Sequence, residues 1–93
     1  MVSLGQRFDP HPEVVDTELE GQEVVLLHME SMSYYSLNLT GMRIWQSLKQ
    51  GLSLQEISRR LQAEFEVEAD RADRSVLALV DELHQQQLVR SLD

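Results

Sequence analysis

The side chains best equipped for chemistry in this sequence are His11, His28 and His84, the hydroxyls of Ser31, Ser33 and Ser36, and paired acids such as Asp81-Glu82. A zinc site needs three or more convergent ligands, usually with some closely spaced in sequence. The histidines are far apart and lack companions at that spacing, so they read as surface or interface residues. His28, opposite Leu27 and Met29 on its strand, reads as exposed. No strand-to-helix serine elbow or ordered Ser/His/Asp set accompanies the serines. Glycines 5, 21, 41 and 51 form no phosphate-cradling loop. Asp81-Glu82 reads as a solvated helix face rather than a general acid/base couple. With no cysteine in the chain, thiolate catalysis, disulfides and Cys-ligated metals are all removed. The expectation is a protein that is not an enzyme and has no catalytic residue, metal or cofactor.

What remains is backbone chemistry. Tyr34-Tyr35-Ser36-Leu37 ends a strand-like run, and Asn38-Leu39-Thr40-Gly41 opens the first helix. If that strand lies at a sheet edge, its unpaired N–H and C=O groups are a template for another chain. Tyr35 and Leu37 point to one face and Tyr34 and Ser36 to the other. An outward Tyr34 beside an open edge would need a partner to cover it, unless it packs on the neighbouring strand. A second unexplained feature lies on the last helix, where Leu77 shares a face with Asp73, Arg74, Asp81 and His84. Leu77 either widens the core stripe or, with Tyr34, lines a groove between the third strand and the third helix.

The elements that must position these residues are legible from periodicity. At 93 residues the chain has the length of one domain, and such a chain buries roughly 60–65% of its extended surface, enough for one core without a deep pocket. Residues 1–12, with Pro10 and Pro12, read as a flexible N-terminal arm, and residues 13–93 as a single folded domain. Val14–Leu19 alternates, with Val15, Thr17 and Leu19 on an inward face and Asp16 and Glu18 outward. Gly21 supplies the turn. Val24-Val25-Leu26-Leu27 is continuously apolar and reads as a central strand. Tyr34–Leu37 is the third strand, and short connections make the three an antiparallel meander with the second in the middle.

Helices follow. Asn38 and Thr40 are both N-cap candidates, and Ile44, Trp45 and Leu48 share a buried face. Gly51 suits the C′ position. Ser53 and Glu56 make a capping box ahead of the Leu54, Ile57, Leu61, Phe65 stripe. A third helix beginning near Glu68–Asp70 buries Ala72, Val76, Leu79, Val80 and Leu83, and the apolar pair Leu88-Val89 closes on the core. The fold class is α+β: a winged-helix-like domain of a three-stranded antiparallel meander followed by three helices.

Net charge is −8. Residues 1–51 carry seven acids against three bases, and residues 52–93 nine against five. No basic face is hidden by the average. The phosphate neutralisation that supplies most nucleic-acid affinity is therefore missing, and no nucleic-acid partner is expected. The same acidity suits a basic partner. No apolar run approaches the roughly 20 residues of a membrane helix, and residues 1–8 lack signal-peptide blocks. A cytoplasmic protein without a membrane partner is expected.

With these residues in place, the sequence resembles the PqqD-like family, named for the pyrroloquinoline quinone biosynthesis protein D. The likeness rests on Val25-Leu26-Leu27, Tyr35-Ser36-Leu37-Asn38 with Thr40-Gly41, and Ile44-Trp45 with Leu48. It continues through Gly51, Glu56-Ile57, Leu61, Phe65 with Val67, and Val76 through Leu83 with Leu88. It spans residues 14–89. The resemblance implies a domain that recognises the leader of a ribosomally made precursor peptide, a RiPP recognition element. The leader adds as a strand to the third strand, lies against the third helix, and is presented to a modifying enzyme. Carried onto this chain, the peptide-binding residues are Tyr34, Tyr35, Ser36, Leu37, Asp73, Arg74, Leu77, Asp81 and His84. Gln87 stands where the family usually has glycine, and residues 7–15 match poorly to the quinone-pathway protein itself. Those departures favour another pathway, such as a lasso-peptide maturase or a radical enzyme.

Two rivals share the pattern. A winged-helix DNA-binding regulator would use the third helix for recognition, but Arg71–Gln87 holds two bases against three acids. A self-associating scaffold would pair its open edge with a second copy; monomer and homodimer, including a domain-swapped one, both fit the sequence.

Overall fold

A computed structural model describes residues 2–92, so Met1 of the expected arm and Asp93 of the expected domain lie outside the described residues. The chain runs β1 (Phe8–Pro10), β2 (Val14–Leu19), β3 (Glu23–His28), β4 (Ser33–Leu37), α1 (Leu39–Lys49), α2 (Leu54–Phe65), α3 (Ala69–Gln85) and β5 (Val89–Ser91). Strands β2, β3 and β4 form an antiparallel meander with β3 in the centre, and three helices follow. This is the expected α+β architecture.

The core joins Val24, Leu26 and Leu37 from the sheet to Met42, Ile44, Trp45 and Leu48 of α1, Leu54, Ile57 and Leu61 of α2, and Ala72, Val76, Val80 and Leu83 of α3. The helix ends follow their sequence signals. Of the two N-cap candidates Asn38 is used, its Oδ1 accepting the Gly41 N–H at 3.0 Å. Ser53 and Glu56 form the reciprocal capping box. Gly51, at φ 84°, takes the left-handed conformation that ends α1, and its N–H donates to the Leu48 carbonyl.

The structure corrects three expectations. Within the expected arm of residues 1–12, Phe8–Pro10 is a strand paired with Val89–Ser91, and Phe8 is buried in the core. Three residues are too few to show a period, and Pro10 tolerates a two-stranded ribbon because an edge needs no donor there. His28 is buried, not exposed. It shares the inward parity of Val24 and Leu26, stacks 4.7 Å from His11, and its Nδ1 accepts the N–H groups of Glu30 and Ser31.

The third correction concerns β2, whose facing is opposite to the reading from alternation. Asp16 pairs with buried Leu26 and so points toward the helices, while Val15 pairs with Leu27 on the outer face. Helix α1 covers β2 with its polar flank. Asp16 takes hydrogen bonds from Trp45 and Lys49, and Glu18 takes one from Gln46. Alternation alone assumes that the covering element is apolar; here it is not.

Candidate functional site

Because β3 pairs with β2 on one side and β4 on the other, β4 has a neighbour on one side only among the described residues. Its free edge opens into a cleft of about 560 Å³ between β4 and α3. Tyr35, Ser36, Leu37 and Asn38 form one wall, and Ser75, Ala78, Leu79 and Glu82 of α3 the other. Gly41 and Ile44 of α1 lie at the base. A Cβ on Gly41 would come within 3.1 Å of the Leu37 Cβ, so glycine lets α1 start directly under β4.

Tyr35 and Glu82 stand on opposite walls of the cleft. Burial pushes the Tyr35 phenol up, and its hydrogen bond to the nearby Glu82 carboxylate adds to this, raising it to about 12. The phenol therefore stays protonated at neutral pH. Glu23 lies at the cleft mouth, next to a second depression lined by Glu18, Leu19, Glu20, Gln22, Glu23 and Asn38. That end of the cleft is acidic.

Tyr35, Ser36 and Leu37 are brought to the cleft as the sequence suggested, whereas Tyr34 is not. Its side chain stands on the outer sheet face, 75% exposed, opposite Leu27. The five α3 residues singled out from the sequence lie elsewhere. Asp73 accepts a hydrogen bond from the buried Ser58 hydroxyl of α2. Arg74 donates to the Asp70 carbonyl. Leu77 and Asp81 line a shallow depression with Val2 and Ala78. His84 meets the Phe8 ring edge-on at 5.6 Å. The strip of α3 facing β4 is one step around the helix, at Ser75, Ala78, Leu79 and Glu82. The small side chains of Ser75 and Ala78 keep the cleft open beside the helix.

Among the described residues no group of three or more His, Cys, Asp or Glu side chains could hold a metal, and no helix is long and apolar enough to cross a membrane.

A family model described as Coenzyme PQQ synthesis protein D (PqqD) matches residues 23–89. The chain belongs to the PqqD family. The matched region starts with β3 and ends in β5, so it contains both walls of the cleft. Two solved structures resemble this PqqD-family chain over nearly its whole length. One, described as "TbiB1 in Complex with the TbiA(beta) Leader Peptide", is 29% identical, with a TM-score of 0.83 and coverage of 88% of this chain and 94% of that one. The other, "Lasso peptide synthetase B1 complexed with the leader peptide", is 32% identical, also at TM-score 0.83, covering 90% of this chain and 98% of that one. Among curated proteins, none matches this chain.

Proposed function

We propose that this PqqD-family chain is a non-catalytic peptide-binding module that captures the leader of a ribosomally synthesised precursor peptide and presents it to a modifying enzyme. The observation that carries this reading is the free β4 edge opening directly onto the α3 cleft. An extended peptide entering there would continue the β2–β3–β4 sheet, taking main-chain hydrogen bonds from β4 and setting alternate side chains against Leu37, Ile44, Ala78 and Leu79. The two related structures, each a complex with a leader peptide, support it. The module would work in the cytoplasm, where such precursors are made, alongside an enzyme of the lasso-peptide or radical type.

The acidic mouth formed by Glu18, Glu20 and Glu23 favours a leader with Lys or Arg toward that end. The α3 wall of the cleft offers Ser75, Ala78, Leu79 and Glu82 and no base, which suits a peptide and not a phosphate backbone.

The test is a titration of the labelled chain with candidate leader peptides, followed by NMR. Amide shifts should concentrate at residues 34–37 and at Ser75, Ala78, Leu79 and Glu82. Ser36→Pro, which deletes a donor and restricts φ on the edge strand, should abolish binding while the helices survive. Unchanged affinity in that variant would rule out strand addition at β4.

A further inference from the structure

Strand addition at β4 does not by itself fix where along the strand a peptide sits. A slip of two residues restores the ladder hydrogen bonds and returns every side chain to its own face. The two ends of the cleft differ, however, and one of them carries a mark. Tyr35 has its hydrogen bond with Glu82, so Ser75, two turns earlier on α3, lies at the Leu37 end. There Thr40 and Ser75 line both the cleft and a recess of about 140 Å³. The recess is apolar where α2 contributes Leu61 and Phe65, and Arg71 of α3 stands beside them. Its volume suits a side chain and not a through-running backbone. A peptide leaving the cleft on this side therefore crosses its mouth, past Arg71.

Arg71 is placed unlike the other bases. Of the eight Lys and Arg, it alone lines the cleft or this recess. Arg7, Arg43, Lys49 and Arg90 each hold a carboxylate. Arg60 donates to Gln50, and Arg74 to the Asp70 carbonyl. Arg71 takes part in no salt bridge among the described residues, although Glu66 and Glu68 line a surface depression with it. An exposed arginine is ordinarily a solvated one. This one stands at the exit of a binding cleft whose own α3 wall, Ser75 to Glu82, has no base.

We propose that Arg71 fixes the register of the captured peptide by holding the carboxylate of an Asp or Glu side chain where the peptide leaves the Leu37 end of the cleft. The inference rests on the peptide-binding reading above. A guanidinium presents a planar fork that matches a carboxylate, so the pair is directional as well as attractive. Glu23 stands on the sheet side of the same end and takes the opposite charge. A peptide that offers an acid to Arg71 and a base to Glu23 meets both partners in one register. A slip of two residues carries the acid roughly 7 Å along the strand. That takes it out of reach of Arg71 and, in one direction, toward Glu82.

The test uses the full chain and a candidate leader that binds in the titration above. Each residue of that peptide is replaced in turn by Asp and by Lys, and affinities are measured for wild type and Arg71→Glu. Wild type should favour Asp over Lys about fivefold or more at one position beyond the strand-paired segment. Arg71→Glu should reverse the preference at that position and leave the others as they were. Arg71→Gln, which removes the charge alone, should abolish the preference without reversing it. Arg60→Glu, at an exposed base away from the cleft, should alter no position. Register is read separately, with a nitroxide on one end of the preferred Asp peptide. It should broaden a fixed set of β4 amides in wild type and a set shifted along the strand in Arg71→Glu. Identical replacement profiles, or identical broadening, in wild type and Arg71→Glu overturn the proposal. Failure of the wild-type chain to bind any candidate leader would instead sink the peptide-binding reading, and this inference with it.

Discussion

Trp45 and Asp16 fasten α1 to the strand farthest from the cleft: the indole Nε1–H donates to Asp16 Oδ2 at 2.6 Å. The same carboxylate oxygen accepts from Lys49 Nζ at 2.7 Å. Trp45 is almost fully buried, so its N–H has exchanged water for this one acceptor. With Val14, which packs on the core at the start of the strand, the pair holds β2 in place, and through β3 it steadies the edge that faces the cleft.

Asp16→Ala should therefore destabilise the fold more than an ordinary surface substitution. It strands a buried indole donor and frees Lys49, a loss of about 1–3 kcal/mol. For a domain of this size each kcal/mol lowers Tm by roughly 4–8 °C. Asp16→Asn keeps an acceptor and should lose less. Equal Tm values for Asp16→Ala and wild type would show that the indole bond contributes nothing.

Acid should unfold the domain in part through the same residue. Burial raises the Asp16 carboxyl, but the hydrogen bonds from Lys49 and Trp45 and the Lys49 charge outweigh it and hold the group below its ordinary 3.8. Glu56 is held below its ordinary 4.5, chiefly by the Ser53 N–H and hydroxyl of the capping box. With both folded values depressed, the unfolded chain takes up protons first as pH falls. Their stabilisation is complete above the ordinary values and is lost as pH drops through the lowered ones. Urea midpoints taken from neutral pH down to about pH 3 should fall, and fall less steeply in Asp16→Asn.

Most of the framework was legible because it depends on local chemistry: Asn38, Gly51 and the Ser53/Glu56 box set helix ends without help from distant residues. What the sequence hid was set by tertiary pairing. Phe8 is buried because residues 89–91 lie beside it, 81 to 83 positions away in the register of β1 with β5. The β2 strand faces as it does because α1 covers it with Gln46 and Lys49. At the cleft, the β4 wall was legible from its place before the helix. The α3 residues that line the cleft drew no notice in the sequence, since Leu79 read as core and the smallness of Ser75 and Ala78 carries no charge or aromatic signal.

Gln87 offers a gain in stability. It takes φ 60° after α3, with its N–H on the His84 carbonyl and the Leu88 N–H on the Leu83 carbonyl, the paired bonds of a Schellman ending. A left-handed conformation is costly for a residue with a Cβ and free of that cost for glycine. Gln87→Gly should stabilise the chain by about 0.5–1 kcal/mol after allowing for the greater freedom of glycine in the unfolded state, seen as a higher urea midpoint with unchanged slope. A lower midpoint would mean that the Gln87 side chain makes contacts worth more than the relieved strain.

The position of the cleft on α3 can be tested against the neighbouring helix face directly. Ala78 is exposed, lines the cleft and sits in a helix that accepts Arg readily. Ala78→Arg should fill the space that an incoming strand needs and cut leader affinity at least tenfold, about 1.4 kcal/mol, with helix content and Tm unchanged. Asp81→Ala, on the adjoining face where Asp81 accepts a bond from Gln85, should leave leader affinity where it was. The reverse pattern would move the binding surface around α3 to the Leu77, Asp81 and His84 face, and the peptide would then lie against the helix without adding to β4.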